Sequence, residues 1–232
     1  MRHQGAGAVA EAHGHASAPA DNHYLPGMGR DWLLPLYDPL TRALGLDAAH
    51  RALADGAGLA PGRRVLEVGC GTANLSLLVK RMHPDVDMVG LDPDPGALER
   101  ARRKARRRGV AVQLDRGFAE ELPYPDASFD RVLSAFMFHH LRPTARPTAL
   151  REVARVLRPG GSLHLVDFGG GKQPSDGLVA RLAQHSKHLQ DNFGDRIPML
   201  MREAGLSDAR ETGHRATVVG RYTFWSARRP DR

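Results

Sequence analysis

From Gly62 onward the chain alternates short apolar runs with longer amphipathic stretches, and this alternation constrains the fold more than any other feature. Arg64-Val-Leu-Glu-Val-Gly69 reads as a buried strand, followed by a helix from about Ala73 to Met82. A second strand spans Val86–Asp92, and the helix after it, Pro95–Arg108, has proline in its first turn and Gly109 at its end. Val110–Asp115 and Phe129–Phe136 make a third and a fourth strand, a helix is expected from Arg146 to Leu157, and Ser162–Asp167 makes a fifth strand. Two further helices are expected within 176–204. Two late segments, Ala209–Val218 and Arg221–Ala227, read as an antiparallel hairpin turning near Gly220. Strands joined by helices imply right-handed βαβ crossovers and a sheet covered on both faces. The expected class is α/β: a doubly wound, Rossmann-like, seven-stranded and mostly parallel sheet with a C-terminal antiparallel hairpin.

Ahead of this unit, residues 1–21 are rich in Ala, Gly and His without an apolar period and are expected to be a disordered tail. Residues 22–60 turn helical. Asp31–Gly45 carries apolar residues at helical spacing, broken by Pro35 and Pro39, and Asp47 is placed to cap a second helix, Ala48–Ala54, stopping near Gly56. With 232 residues, 41% of them hydrophobic, the chain can build one sizeable core. No run approaches the roughly 18 apolar residues that span a bilayer. The N-terminus also lacks the apolar stretch of a secretory signal, so a cytoplasmic protein is expected. The one cysteine, Cys70, excludes an internal disulfide and a multi-cysteine metal site. His185 and His188 share a helical face without a third ligand, so no metal is expected.

The formal charge is +7, yet only four of the 33 basic residues are lysines (Lys80, Lys104, Lys172, Lys187), a bias that reads as GC-rich coding as much as polyanion binding. The run Arg100–Arg108 falls on the last turns of a helix, where cations suit the macrodipole, and has no interleaved aromatics for stacking bases. Nucleic acid is not the expected partner. Contact with an anionic membrane surface is compatible with the run.

Ligands of a doubly wound sheet bind beyond the carboxyl ends of the strands. The first strand here ends in Glu67-Val-Gly69-Cys70-Gly71-Thr-Ala73-Asn74. Gly69 and Gly71 permit a tight turn and close approach of a ligand to backbone. Asn74 breaks the G-x-G-x-x-G fingerprint of dinucleotide sites. Glu67 would repel a pyrophosphate but could pair with an ammonium, and Asp92, closing the second strand, is placed to accept from ribose hydroxyls.

Four ordered segments then resemble class I S-adenosylmethionine-dependent methyltransferases: Val65–Ala73, Gly90-Leu-Asp92-Pro93, Leu122-Pro-Tyr-Pro-Asp-Ala-Ser-Phe-Asp130 and Leu157-Arg-Pro-Gly-Gly161. The third is most similar to the ubiquinone/menaquinone C-methyltransferase-like group. The resemblance covers roughly residues 60–170 and implies S-adenosylmethionine as cofactor and a small-molecule acceptor, quinol-like or natural-product-like. It implies that Gly69, Cys70 and Gly71 pass under the methionine part, with Glu67 and Asn74 flanking them. Asp92 would hold the ribose diol, with Pro93, Phe118, Ala119 and Glu120 around the adenine, and Ala135 and Phe136 beside the methyl donor. Ala73 replaces the family's usual third glycine, and Phe118 stands where a polar residue often meets the adenine. It also implies that the helices of residues 22–60, with Tyr24, Trp32 and Tyr37, form a lid over a domain of residues 61–232, Tyr37 being a candidate cofactor contact.

His139 and His140 follow the fourth strand on the ligand side, and their ordinary pKa suits a general base at neutral pH; they also suit lining the cleft. Asp167, ending the fifth strand, faces either the acceptor or solvent. Cys70 reads as a packed small residue, since no base is suggested beside it. An Asn/Asp-Pro-Pro-Tyr motif is absent, which argues against DNA-amino and glutamine substrates. Two other readings stay open: a nicotinamide-dependent oxidoreductase on a similar sheet, and a non-catalytic adenosyl-ligand or RNA-binding module.

Overall fold

The computed structural model describes residues 46–169, 195–217 and 220–231. The expected tail, Tyr24, Trp32, Tyr37 and the two histidines at 185 and 188 lie outside the described residues. In chain order the elements are α1 (Leu46–Gly56), β1 (Arg64–Val68), α2 (Asn74–Met82), β2 (Asp87–Asp92), α3 (Pro95–Arg108), β3 (Gln113–Arg116) and β4 (Phe129–Ala135). A 3-10 turn follows (Phe138–His140), then α4 (Arg146–Val156), β5 (Leu157–Phe168), α5 (Arg196–Glu203), β6 (Ser207–Thr217) and β7 (Gly220–Arg228).

The seven strands form one sheet in the order β3-β2-β1-β4-β5-β7-β6. Strands β1 to β5 pair in parallel, while β7 runs antiparallel between β5 and β6. Strand order reverses between β1 and β4, so the crevice for a ligand opens at their carboxyl ends.

Side-chain alternation along β1 sends Leu66 and Val68 to one face and Val65 to the other. The first face packs with Val132, Leu163 and Leu165 against Leu150 and Val153 of α4 and Ile197 and Met201 of α5. On the second, Leu46, Ala49 and Leu53 of α1 and Leu75 and Val79 of α2 cover Val65, Leu133 and Val166. Each such leucine contributes about 1.5–3 kcal/mol by leaving water. Helix α1 is therefore part of the core, with Asp47 inside its first turn rather than ahead of it.

Several boundaries differ from expectation by a few residues, and three of the differences have a clear local cause. Ala73 lies outside α2 as its cap, in a left-handed conformation (φ 61°, ψ 37°). Strand β3 starts only at Gln113, because the Val110 N–H is used by the Ala105 carbonyl to close α3. Helix α4 stops at Val156, and β5 begins at Leu157, which already pairs with Phe129. The Pro-Gly-Gly segment is thus a bulged part of the strand, not a turn preceding it.

Candidate active site

The bend after β1 is held by backbone. Gly69 and Cys70 both donate to the Leu91 carbonyl (2.8 and 3.0 Å), and Ala73 donates to that of Cys70 (2.8 Å). Gly69 has φ +76°, and a Cβ there would stand 2.1 Å from Cγ of Met137, so only glycine lets the exit of β4 come this close. Gly71 (φ +51°) has nothing within 4 Å of where its Cβ would be, which leaves bare backbone open at the bend.

Two carboxylates brace it. Asp92 is buried; its Oδ2 accepts from Gly71 N (2.7 Å) and its Oδ1 from Asp94 N (3.0 Å). Each oxygen keeps a lone pair for a further donor. Burial holds its pKa above the ordinary carboxylate value, against the two backbone hydrogen bonds. Glu67 is also buried and accepts from Ser76 N (2.9 Å) and from the Ser76 hydroxyl in the first turns of α2. Burial pushes its carboxyl up to about 8, although both Ser76 bonds pull the other way. The arrangement fits an adenosyl group: a diol can donate to Asp92, and the open backbone at Gly71 accepts a close neighbour. A diphosphate would meet two buried acids instead.

Asn74 opens α2, and its Oδ1 accepts from Lys104 Nζ (2.6 Å), which also donates to Thr72 (2.8 Å). Lys104 was hidden in the arginine run; its being a lysine was the one available signal. Cys70 is buried, and burial drives its thiol well above its usual range, so it packs rather than reacts. Pro93 is half-buried at the start of the next loop, and its carbonyl accepts from Arg116 (3.3 Å). Phe118 and Glu121 form an isolated bridge beyond β3, with Ala119 buried and Glu120 half-buried between them.

At the exit of β4, Ala135 ends the strand and Phe136 follows with φ +54°, unusual for a bulky residue. Its N–H donates to the Val166 carbonyl (2.8 Å), and its ring meets those of His50, Phe168 and Tyr222. His139 then comes back over the end of β5. Its backbone N–H donates to Asp167 Oδ2 (2.9 Å), and its Nδ1 lies 2.6 Å from Asp167 Oδ1. His140 stacks beside it, with ring centroids 4.0 Å apart. Asp167 is fully buried, so the expected placement in solvent does not describe it; its oxygens face His139 instead. The β4–β5 register, Ala135 against Val166, creates that contact, and no short motif encodes it. Among the described residues no cluster could hold a metal ion.

A family described as a methyltransferase domain matches residues 65–161. The chain is 40% identical over 219 residues to the demethylmenaquinone methyltransferase of Deinococcus radiodurans, spanning 83% of this chain and 88% of that one. The chain belongs to the S-adenosylmethionine-dependent methyltransferases. Among solved structures, the YcgJ protein of Bacillus subtilis shares the fold (TM-score 0.66, 19% identity, 79% of this chain and 98% of that one). The S-adenosylmethionine-dependent methyltransferase SibL is 27% identical (TM-score 0.61, 72% of this chain and 50% of that one). The methyltransferase takes S-adenosylmethionine as methyl donor and a small organic molecule as acceptor. The oxidoreductase and non-catalytic readings are not favoured. No helix among the described residues is long and apolar enough to cross a membrane.

Proposed function

We propose that the acceptor is a hydroxylated aromatic ring of the hydroquinone type and that His139 is the general base. The observation that carries this reading is the path of the chain after β4: Met137 lies against the Gly69 bend, and His139, two residues on, stands beside Phe168 (ring centroids 5.6 Å). The relative that acts on a demethylmenaquinone supports the same acceptor class. When bound, S-adenosylmethionine supplies an electrophilic methyl group on a sulfonium.

The chain's own residues do the rest. Asp92 receives the ribose hydroxyls, with Pro93, Phe118, Ala119 and Glu120 along the adenine. Gly69, Cys70 and Gly71 pass beneath the methionine part, with Glu67 and Asn74 holding the bend from behind. Ala135 and Phe136 wall the methyl donor, and Phe168 offers an aromatic face to the acceptor. His139 would take the acceptor's hydroxyl proton at Nε2; the electron pair released into the ring would form the bond to the methyl carbon as that carbon's bond to sulfur breaks and S-adenosylhomocysteine leaves, and the methylated ring carbon would give up its own proton to restore aromaticity. Residues 22–60 are proposed as a lid anchored through α1, with Tyr37 against the cofactor, over a domain of residues 61–232. Peripheral contact with an anionic membrane through the α3 arginines is part of the same proposal, and the working compartment is the cytoplasm.

The test is labelled methyl transfer to a naphthohydroquinone, compared with primary-amine acceptors. Methylated hydroquinone is expected, with kcat falling about 10²–10⁴-fold in His139→Gln while S-adenosylhomocysteine still binds. Methylation of the amines alone would overturn the assignment.

A further inference from the structure

We infer that Asp167 is the positioning residue for His139: it holds the imidazole as the Nδ1–H tautomer, so that Nε2 is the ring nitrogen presented to the acceptor. The inference rests on the reading of His139 as base and adds to it a second residue, from a different strand, that the reaction depends on without touching substrate.

The geometry is a three-donor clamp. Asp167 Oδ2 accepts the His139 backbone N–H (2.9 Å); Oδ1 lies 2.6 Å from His139 Nδ1 and accepts the Phe168 backbone N–H (2.7 Å). Both Asp167 oxygens already accept a backbone N–H, so the short contact at Oδ1 assigns the ring proton to Nδ1. The backbone bond fixes where the ring starts and the side-chain bond fixes how it turns, which leaves Nε2 with its lone pair outward. Burial is divided accordingly: the Asp167 side chain has 0% exposure and that of His139 keeps 16%. A carboxyl group taken so far out of water needs well-placed donors; here three are.

Among the described residues, three charged or titratable groups face His139. Asp167 lies beneath it on β5, His140 stacks beside it in the same turn, and Arg146 approaches from α4 with its guanidinium over Phe138. Burial lowers the His139 pKa and Arg146 lowers it further, but Asp167, through charge and hydrogen bond, outweighs both and raises it overall. Removing the Asp167 charge therefore moves His139 downward as well as loosening it.

Asp167→Asn separates this role from a merely structural one. An amide presents one acceptor and one donor group, and cannot receive all three donors of the clamp. Three results are expected: kcat falls by at least tenfold with KM for S-adenosylmethionine unchanged, the acidic limb of the pH–rate profile moves to lower pH, and the histidine loses its single tautomer. Nitrogen-15 NMR of histidine-labelled wild-type enzyme reads the tautomer directly and needs no variant to fold. An Nε2–H tautomer in the wild type, or an Asp167→Asn enzyme with unchanged tautomer and pH profile, overturns the inference. Full activity in His139→Gln would instead sink the base assignment, while the tautomer measurement still decides what Asp167 does.

Discussion

At the scale of single residues, the site is organised by backbone conformations that side chains tolerate poorly. Gly69 carries both a left-handed backbone and the contact with Met137, so Gly69→Ala should cost about 1–3 kcal/mol and weaken S-adenosylhomocysteine binding at least tenfold. Denaturant midpoints and calorimetric titration read the two effects separately. Gly71→Ala meets no neighbour and should cost only about 1–2 kcal/mol of backbone strain. Ala73, left-handed and buried, shows that the family's glycine can be replaced where the smallest side chain still fits. The acids at 67 and 92 were legible as strand-end carboxylates beside the bend, and the structure buries both. Their partners, Ser76 and the Gly71 backbone, were not, because a hydrogen bond nine or twenty-one residues along the chain depends on how the bend closes.

At the scale of elements, the segments that resemble family motifs serve the scaffold as well as the site. In Leu122–Asp130, Arg155 of α4 donates to the carbonyls of Leu122 (3.0 Å) and Tyr124 (2.8 Å), and Asp130 accepts from Arg64 N (2.8 Å) and Arg158 (2.7 Å). Those bonds tie the approach to β4 onto α4, the start of β5 and the start of β1. The Gly160-Gly161 bulge likewise has a packing reason: a Cβ on Gly161 would stand 2.8 Å from the Arg158 carbonyl oxygen and 3.1 Å from that of Asp130. Backbone cannot swing away as a side-chain tip does, so Gly161→Ala should cost about 1–3 kcal/mol. Thermal unfolding of that variant checks it, with near-wild-type stability counting against the bulge reading. The strand start at Leu157 was not visible in sequence, since Leu157 fits the helical period of α4 as well as the ladder of β4.

For the whole molecule, buried titratable groups set a stability optimum. His50 and His164 are each lowered to about 4 by burial, so between pH 4 and 6.5 only the unfolded chain binds their protons, and stability rises with pH. Glu67, raised to about 8, keeps its proton in the folded state above pH 4.5, so its contribution falls as pH climbs to 8. Asp92, also raised by burial, adds a falling contribution just above its ordinary carboxylate range; once it has ionised, two rising contributions outweigh the one from Glu67 up to pH 6.5, and above that the fall from Glu67 remains, joined by His139. Maximum stability is expected near pH 6.5, with a slope above it of about 1.4 kcal/mol per pH unit for each such group. Denaturant unfolding across pH 5–9 tests this, and Glu67→Gln should flatten the alkaline side. An optimum at pH 8 or above would mean that Glu67 ionises freely in the folded chain.

The amino-acid sequence alone determined the sheet, its parallel run and closing hairpin, the glycine bend and, through ordered family motifs, the cofactor, because these follow from periodicity and from residues adjacent in the chain. Only the tertiary structure decided what Asp167, Lys104 and Met137 touch. Their partners come from other elements, and strand register and loop closure, which short-range pattern does not encode, bring a buried carboxylate to within 2.6 Å of a histidine twenty-eight residues earlier.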